Sequence, residues 1–182
     1  MTNWRTGVSL FKTLHEDLRH KAAWYELPPN KASILRMCFS DGSSGQILYR
    51  LMRFCQMHSL KPVAYLIYRM NVILYGVVIG RGAEFGPGFI LLHTVGTVIN
   101  SEVVAGKNLV LEHGVTIGAE KGASPVFGDN VFIGAGAKII GAIKIGSDVK
   151  IGANAVVISD IPDGATAVGV PAKVVRIYGE KP

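Results

Sequence analysis

The sequence predicts a mainly β protein: a parallel β-helix of hexapeptide repeats behind a short N-terminal α-helical region. Three observations predict it. An apolar residue recurs every six positions. From Ile79 the steps reach Phe85 and Leu91, then, after a two-residue slip, Ile99, Ala105, Leu111 and Ile117. After a four-residue insertion the series resumes at Phe127, Ile133, Ile139, Ile145, Ile151 and Val157. The second observation is small neighbours. Glycine follows at Gly80, Gly86, Gly106, Gly118, Gly128, Gly134, Gly146 and Gly152, and an apolar side chain lies two residues before, as at Val77, Phe89, Val131 and Val149. The third is spacing. An ordinary parallel sheet of short strands needs long crossovers, and the hexads leave no room for them. A period of six fits neither a helix nor simple alternation. It fits a solenoid in which each hexad is one short strand plus a corner.

Each hexad would place one side chain in a narrow prism, and the glycine beside it is expected to turn the corner with a positive φ. Three hexads make a coil, and coils stack at about 4.8 Å. Such coils bury their faces only against neighbours. The β-helix is expected over residues 76–160. Residues 1–75 form the helical region before it, and 161–182 a loop, an extended segment and a tail.

Within the helical region, Leu10, Leu14, Leu18 and Ala22 repeat at helical spacing over Ser9 to Tyr25. Leu27-Pro28-Pro29-Asn30 breaks that helix. Further helices are expected from Ala32 to Phe39, Gln46 to His58 and Pro62 to Leu74, with a turn over Asp41 to Gly45.

The chain has 182 residues and a net charge of +6. Its lysines and arginines are dispersed, which argues against nucleic acid. Positive charge suits an anionic cosubstrate or an acidic surface. The two cysteines, Cys38 and Cys55, are too few for a disulfide framework or a metal site and are expected to be reduced. The opening residues lack the apolar core of a signal peptide, so a cytoplasmic location is expected. Pro62 to Ile79 is apolar but interrupted by Arg69 and Asn71. It reads as a buried or interface helix rather than a spanning one, with peripheral membrane contact the less favoured reading.

The repeat contains only two histidines, His93 and His113, each two residues past a repeat position. Leu91 and Leu111 are three hexads apart, so the two imidazoles are expected on one prism edge, one rung apart. The slip begins directly after His93, and the insertion, Ala119 to Pro125, follows His113. The alternative for each histidine is a solvated corner residue.

The segments AEFGPGFILLHTVGTVI, LEHGVTIG, VFGDNVFIGAGAKIIGAIKIGSDVKIGANAVV and AVGVPAKVV resemble the serine acetyltransferase family of hexapeptide acyltransferases, over about residues 46 to 178. LYRLMRF (Leu48 to Phe54) is similar to the end of that family's helical region. The resemblance implies a left-handed β-helix, a homotrimer or a multiple of three, and active sites between subunits. It implies acetyl-CoA as cosubstrate, a small acceptor with a hydroxyl, and no metal. His93 matches the family's catalytic histidine, a residue type suited to taking a hydroxyl proton near neutrality. Backbone N–H groups would stabilise the oxyanion. His113 and Glu112 are acceptor-site candidates. Ala119, Ala135 and Ala153 match positions where main chain meets the pantetheine arm, and Lys173 is a candidate phosphate partner. By itself each alanine reads better as ordinary corner packing.

The sequence also departs from the family. The aspartate expected before the histidine is Leu92, and one about fifteen residues upstream, which would orient the imidazole, is Val78. The loop that carries an Arg-His pair is replaced by Gly122-Ala123-Ser124-Pro125. The terminal isoleucine that docks a partner sulfhydrylase is missing, so no such docking is expected. These departures lead the sequence reading to an O-acetyltransferase acting on a sugar or sugar nucleotide of an envelope polysaccharide. L-serine O-acetylation in cysteine biosynthesis is the alternative. A non-catalytic β-helix scaffold is the reading from another class. Zinc as in carbonic-anhydrase-like relatives would need three histidines, and the repeat has two.

Overall fold

Four helices lead into the repeat in the computed structural model, which describes residues 9–181: α1 (Leu10–Trp24), α2 (Lys31–Cys38), α3 (Ser43–Met57) and α4 (Lys61–Tyr75). The opening segment read for a signal peptide lies partly outside the described residues, and so does the last residue, Pro182. Asn30 caps α2 by accepting from the Ser33 N–H at 2.8 Å. Pro62 sits in the first turn of α4, and Gly76 ends that helix with φ +61°. Leu18 and Ala22 of α1 pack on Met37 of α2.

The predicted turn over Asp41 to Gly45 is shorter than expected, because α3 already begins at Ser43. Gly42 alone takes the left-handed conformation, with φ +77°. Gly45 is inside the helix because a Cβ there would lie 2.7 Å from the Thr94 Cγ2. Close packing, not a turn, requires it.

Thirteen short strands follow, one for each repeat position, and they stack into three parallel sheets. The first sheet contains β1 (Val78–Ile79), β4 (Val98–Ile99), β7 (Thr116–Gly118), β10 (Lys138–Ile140) and β13 (Val156–Val157). The second contains β2 (Glu84–Phe85), β5 (Val104–Ala105), β8 (Val126–Phe127) and β11 (Lys144–Ile145). The third contains β3 (Ile90–Leu91), β6 (Val110–Leu111), β9 (Phe132–Ile133) and β12 (Lys150–Ile151), and continues into β14 (Ala165–Val168) and β15 (Lys173–Ile177). Every repeat residue is buried and faces one continuous core.

Two details differ from the sequence reading. The glycines after the repeat residues do not take positive φ. They are small because the next coil is too close: a Cβ at Gly80 would lie 2.4 Å from the Ser101 Cα. Positive φ occurs two residues further on, at Gly88, Asn108, Asn130 and Asp148. There the Asn108 amide donates to Asn130, and the Asn130 amide to Asp148, each at 2.8 Å. The second difference is the C-terminal end, read as a loop, an extended segment and a tail rather than as part of the repeat. Ile161 bridges to Ile145, and Ala167 pairs with Ile151, so the segment forms a further coil. The regularity fades in sequence because the step from Val157 to Ile161 is four residues. β15 then folds back antiparallel on β14.

The first coil would expose open strand edges, and the helices cover it with buried polar groups. Arg50 grips Asp17 at 2.8 and 3.0 Å and donates to the Phe85 and Gly86 carbonyls. Asp17 accepts from the Gly88 and Phe89 N–H groups at 2.8 and 3.0 Å. Lys21, also buried, donates to the Leu91 carbonyl at 2.8 Å, the Ser43 hydroxyl at 3.0 Å and the Asp41 carbonyl.

Candidate active site

His93 and His113 share a prism corner because Leu91 and Leu111 are paired in register. Their ring centroids are 6.0 Å apart, with planes at 72°. Roughly half of each side chain is exposed, 50% and 57%. The same corner continues down the stack. Ala135 lies two residues past Ile133, Ala153 two past Ile151, and Gly169 two past Ala167, and these three strands are in register. The edge therefore reads His, His, Ala, Ala, Gly. Below the imidazoles the residues at these edge positions carry nothing larger than a methyl group, which suits close approach of a long, thin ligand to this strip of backbone. Lys173 opens β15 just beyond the far end of that strip and is exposed. Ala119 lies two residues past Ile117 of the first sheet, on a different corner. One chain does not bring it together with Ala135 and Ala153.

Leu92 and Val78 leave no carboxylate where the family resemblance looks for one. Leu92 is buried in an outer cluster with Ile90 and Val110. Phe132 borders that cluster, and Trp24 stacks on Phe132 at 5.4 Å. Val78 pairs with Val98 on β1. The acids near the imidazoles come from elsewhere. The Glu112 Oε2 lies 3.7 Å from the His113 Nδ1. The Asp41 Oδ2, from the turn before α3, lies 3.7 Å from the His93 Nδ1. Tyr25 joins them from the end of α1. Burial, and then the charges of Glu112 and Asp41, push its phenol up. Asp41 and Tyr25 escaped the sequence reading, since no spacing links a turn between helices to a corner of the repeat.

The insertion is a tight bridge. Glu120 and Ala123 exchange backbone hydrogen bonds at 3.0 Å in both directions. The Ser124 hydroxyl donates to Asn100 at 3.0 Å. Among the described residues, no cluster of three or more His, Cys, Asp or Glu side chains is arranged to hold a metal, and no helix is long and apolar enough to cross a membrane. Two clefts of the single chain, one beneath α1 and α3 and one along the second sheet, are both lined without His93 or His113.

The bacterial transferase hexapeptide (six repeats) family model matches residues 124–159. A serine acetyltransferase of Helicobacter pylori is 36% identical over 173 residues, covering 93% of this chain and 95% of the relative. The chain belongs to the serine acetyltransferase family. It is an acyltransferase of that type. Solved members share its fold. The Neisseria gonorrhoeae serine acetyltransferase in complex with serine has a TM-score of 0.79 at 37% identity, covering 90% of this chain and 68% of that one. A serine acetyltransferase in complex with CoA has a TM-score of 0.80 at 30% identity, covering 94% and 72%.

Proposed function

We infer that this member transfers the acetyl group of acetyl-CoA to the hydroxyl of L-serine, with His93 as general base. The supporting observation is the corner on which two half-exposed imidazoles, flanked by carboxylates, stand above a strip of alanine and glycine. The His93 ring would take the hydroxyl proton. The acceptor oxygen then attacks the thioester carbonyl, and backbone N–H groups stabilise the tetrahedral oxyanion. Collapse breaks the C–S bond, and the imidazolium returns its proton to the departing CoA thiolate. The pantetheine arm would lie along Ala135 and Ala153, with Lys173 toward the nucleotide phosphates. Glu112 would pair with the serine ammonium, and His113 would donate to its carboxylate.

The trimer expected from sequence fits this arrangement. The histidine edge is an outer edge, and Ala119 faces a different corner, so a neighbouring subunit is needed to bring both to one acetyl-CoA. The relatives favour serine over the sugar hydroxyl expected from sequence. One feature favours the sugar: the buried Leu92 and a short loop whose sole cation is Lys121 offer serine fewer charged partners than the family does. An unpaired charge in a partly dry cleft is costly. The deciding measurement is kcat/KM for L-serine against amino sugars and nucleotide sugars. We expect serine turnover near or above about 10⁴ M⁻¹s⁻¹, the lower end of ordinary enzyme efficiency. A sugar that exceeds serine by tenfold or more would replace serine as the acceptor.

A further inference from the structure

We propose that Asp41 is the positioning carboxylate of His93, supplied by the helical region and fixed there by Lys21. The inference rests on His93 being the general base.

Two independent observations carry it. The first is the facing pair itself. The Asp41 Oδ2 lies 3.7 Å from the Nδ1 of His93, just beyond hydrogen-bond distance. A carboxylate that closes on that side to hydrogen-bonding distance would hold the proton on Nδ1 and leave the Nε2 lone pair free for the acceptor hydroxyl.

The second is the way the turn is held. Asp41 is exposed, so its side chain gains no precision from packing. Its backbone does. The buried Lys21 ammonium donates to the Asp41 carbonyl and, at 2.8 Å, to the Leu91 carbonyl, two residues before His93. A third bond, to the Ser43 hydroxyl at 3.0 Å, fixes the start of α3, and that hydroxyl also meets the Ser40 hydroxyl at 3.0 Å. One ammonium thus ties the turn that carries Asp41 to the strand that carries His93. Gly42 completes the seat. A Cβ there would lie 2.1 Å from the Leu91 carbonyl oxygen, so only glycine lets the turn lie flat on β3. Burying a lysine is costly unless its ammonium is hydrogen-bonded, and these three acceptors offset that cost. Here the ammonium sets the distance between an acid and a base.

Asp41→Asn tests this, because an exposed side chain can change without loss of fold. Removing a group that orients a catalytic histidine lowers activity by about 10- to 100-fold at the least. We expect that loss in kcat, with the KM values of acetyl-CoA and acceptor within about twofold. Asp41→Glu, which keeps the carboxylate, should recover most of it. Spectra of ¹⁵N-histidine-labelled protein should show His93 as the Nδ1–H tautomer in the wild type and shifted toward Nε2–H in Asp41→Asn. In a His93→Ala background, Asp41→Asn should cost nothing further. A loss confined to acceptor KM, or an unchanged tautomer with kcat within twofold, would overturn the proposal. If His93→Ala itself stays active, the general-base reading fails instead, and the two failures are distinct.

Discussion

At the residue scale, the proposed chemistry turns on one ring nitrogen of His93. Removing a general base costs about 10²- to 10⁴-fold in rate. His93→Ala should lose that much in kcat while keeping its fold, because the ring is half exposed on an outer corner. Steady-state kinetics alongside a melting curve checks this, and activity within threefold of wild type would remove His93 from the mechanism. His113→Ala should lose less, and mainly through acceptor KM. Below the imidazoles, Ala153 is exposed and has no packing to disturb. Ala153→Leu should therefore raise the acetyl-CoA KM about tenfold or more with the melting temperature unchanged, since a CoA arm lying on this strip would meet the new side chain.

The contact between helices and first coil decides stability at the element scale. Asp17 and Arg50 are both buried and bond four backbone groups of the segment from Phe85 to Phe89. Removing one partner of a buried pair leaves an uncompensated charge and costs about 3–5 kcal/mol. Asp17→Ala should show that loss in chemical denaturation, whereas a change on the exposed face of α1 should not. Lys21 adds a pH signature. Burial pushes its ammonium down to about 8 from 10.5, against the opposing pull of Asp41. Between those values the unfolded chain holds a proton that the folded chain has shed, so the Lys21 contribution to stability rises with pH. Tyr49, pushed up to about 12 by burial, acts in the opposite sense above pH 10. From pH 8 to 10, the unfolding free energy of wild type should therefore gain on that of Lys21→Met. A constant difference would show that Lys21 titrates as an ordinary lysine.

At the scale of the whole molecule, the coil stack is closed at both ends, by α1 and α3 at one and by β14 and β15 at the other. Its sides remain flat, and the histidine corner is one of the prism's outer edges. Light scattering should report a mass that is a multiple of three chains. A monomer at micromolar concentration would rule out the proposed site between subunits, and with it the proposed place of Ala119 near the CoA arm.

The spacing of repeat residues was enough to determine the three sheets, their register and the stacking of His93 on His113. A hexad is a local unit whose period forces each strand onto the one three steps away. The charged network was not legible, because Asp17, Lys21 and Arg50 sit in helices whose periodicity says which face is buried but not what that face meets. The same limit hid the role of Gly45, a close-packing residue that reads in sequence as a turn. It hid Asp41 as well, since an acid before a glycine reads as a solvated turn. Only the docking of α1 and α3 on the first coil brings that turn within 3.7 Å of an imidazole 52 residues later in the chain. Local repetition determines the scaffold from sequence alone, whereas contacts between distant, non-repeating segments depend on how side chains pack, and those contacts place Asp41 beside His93.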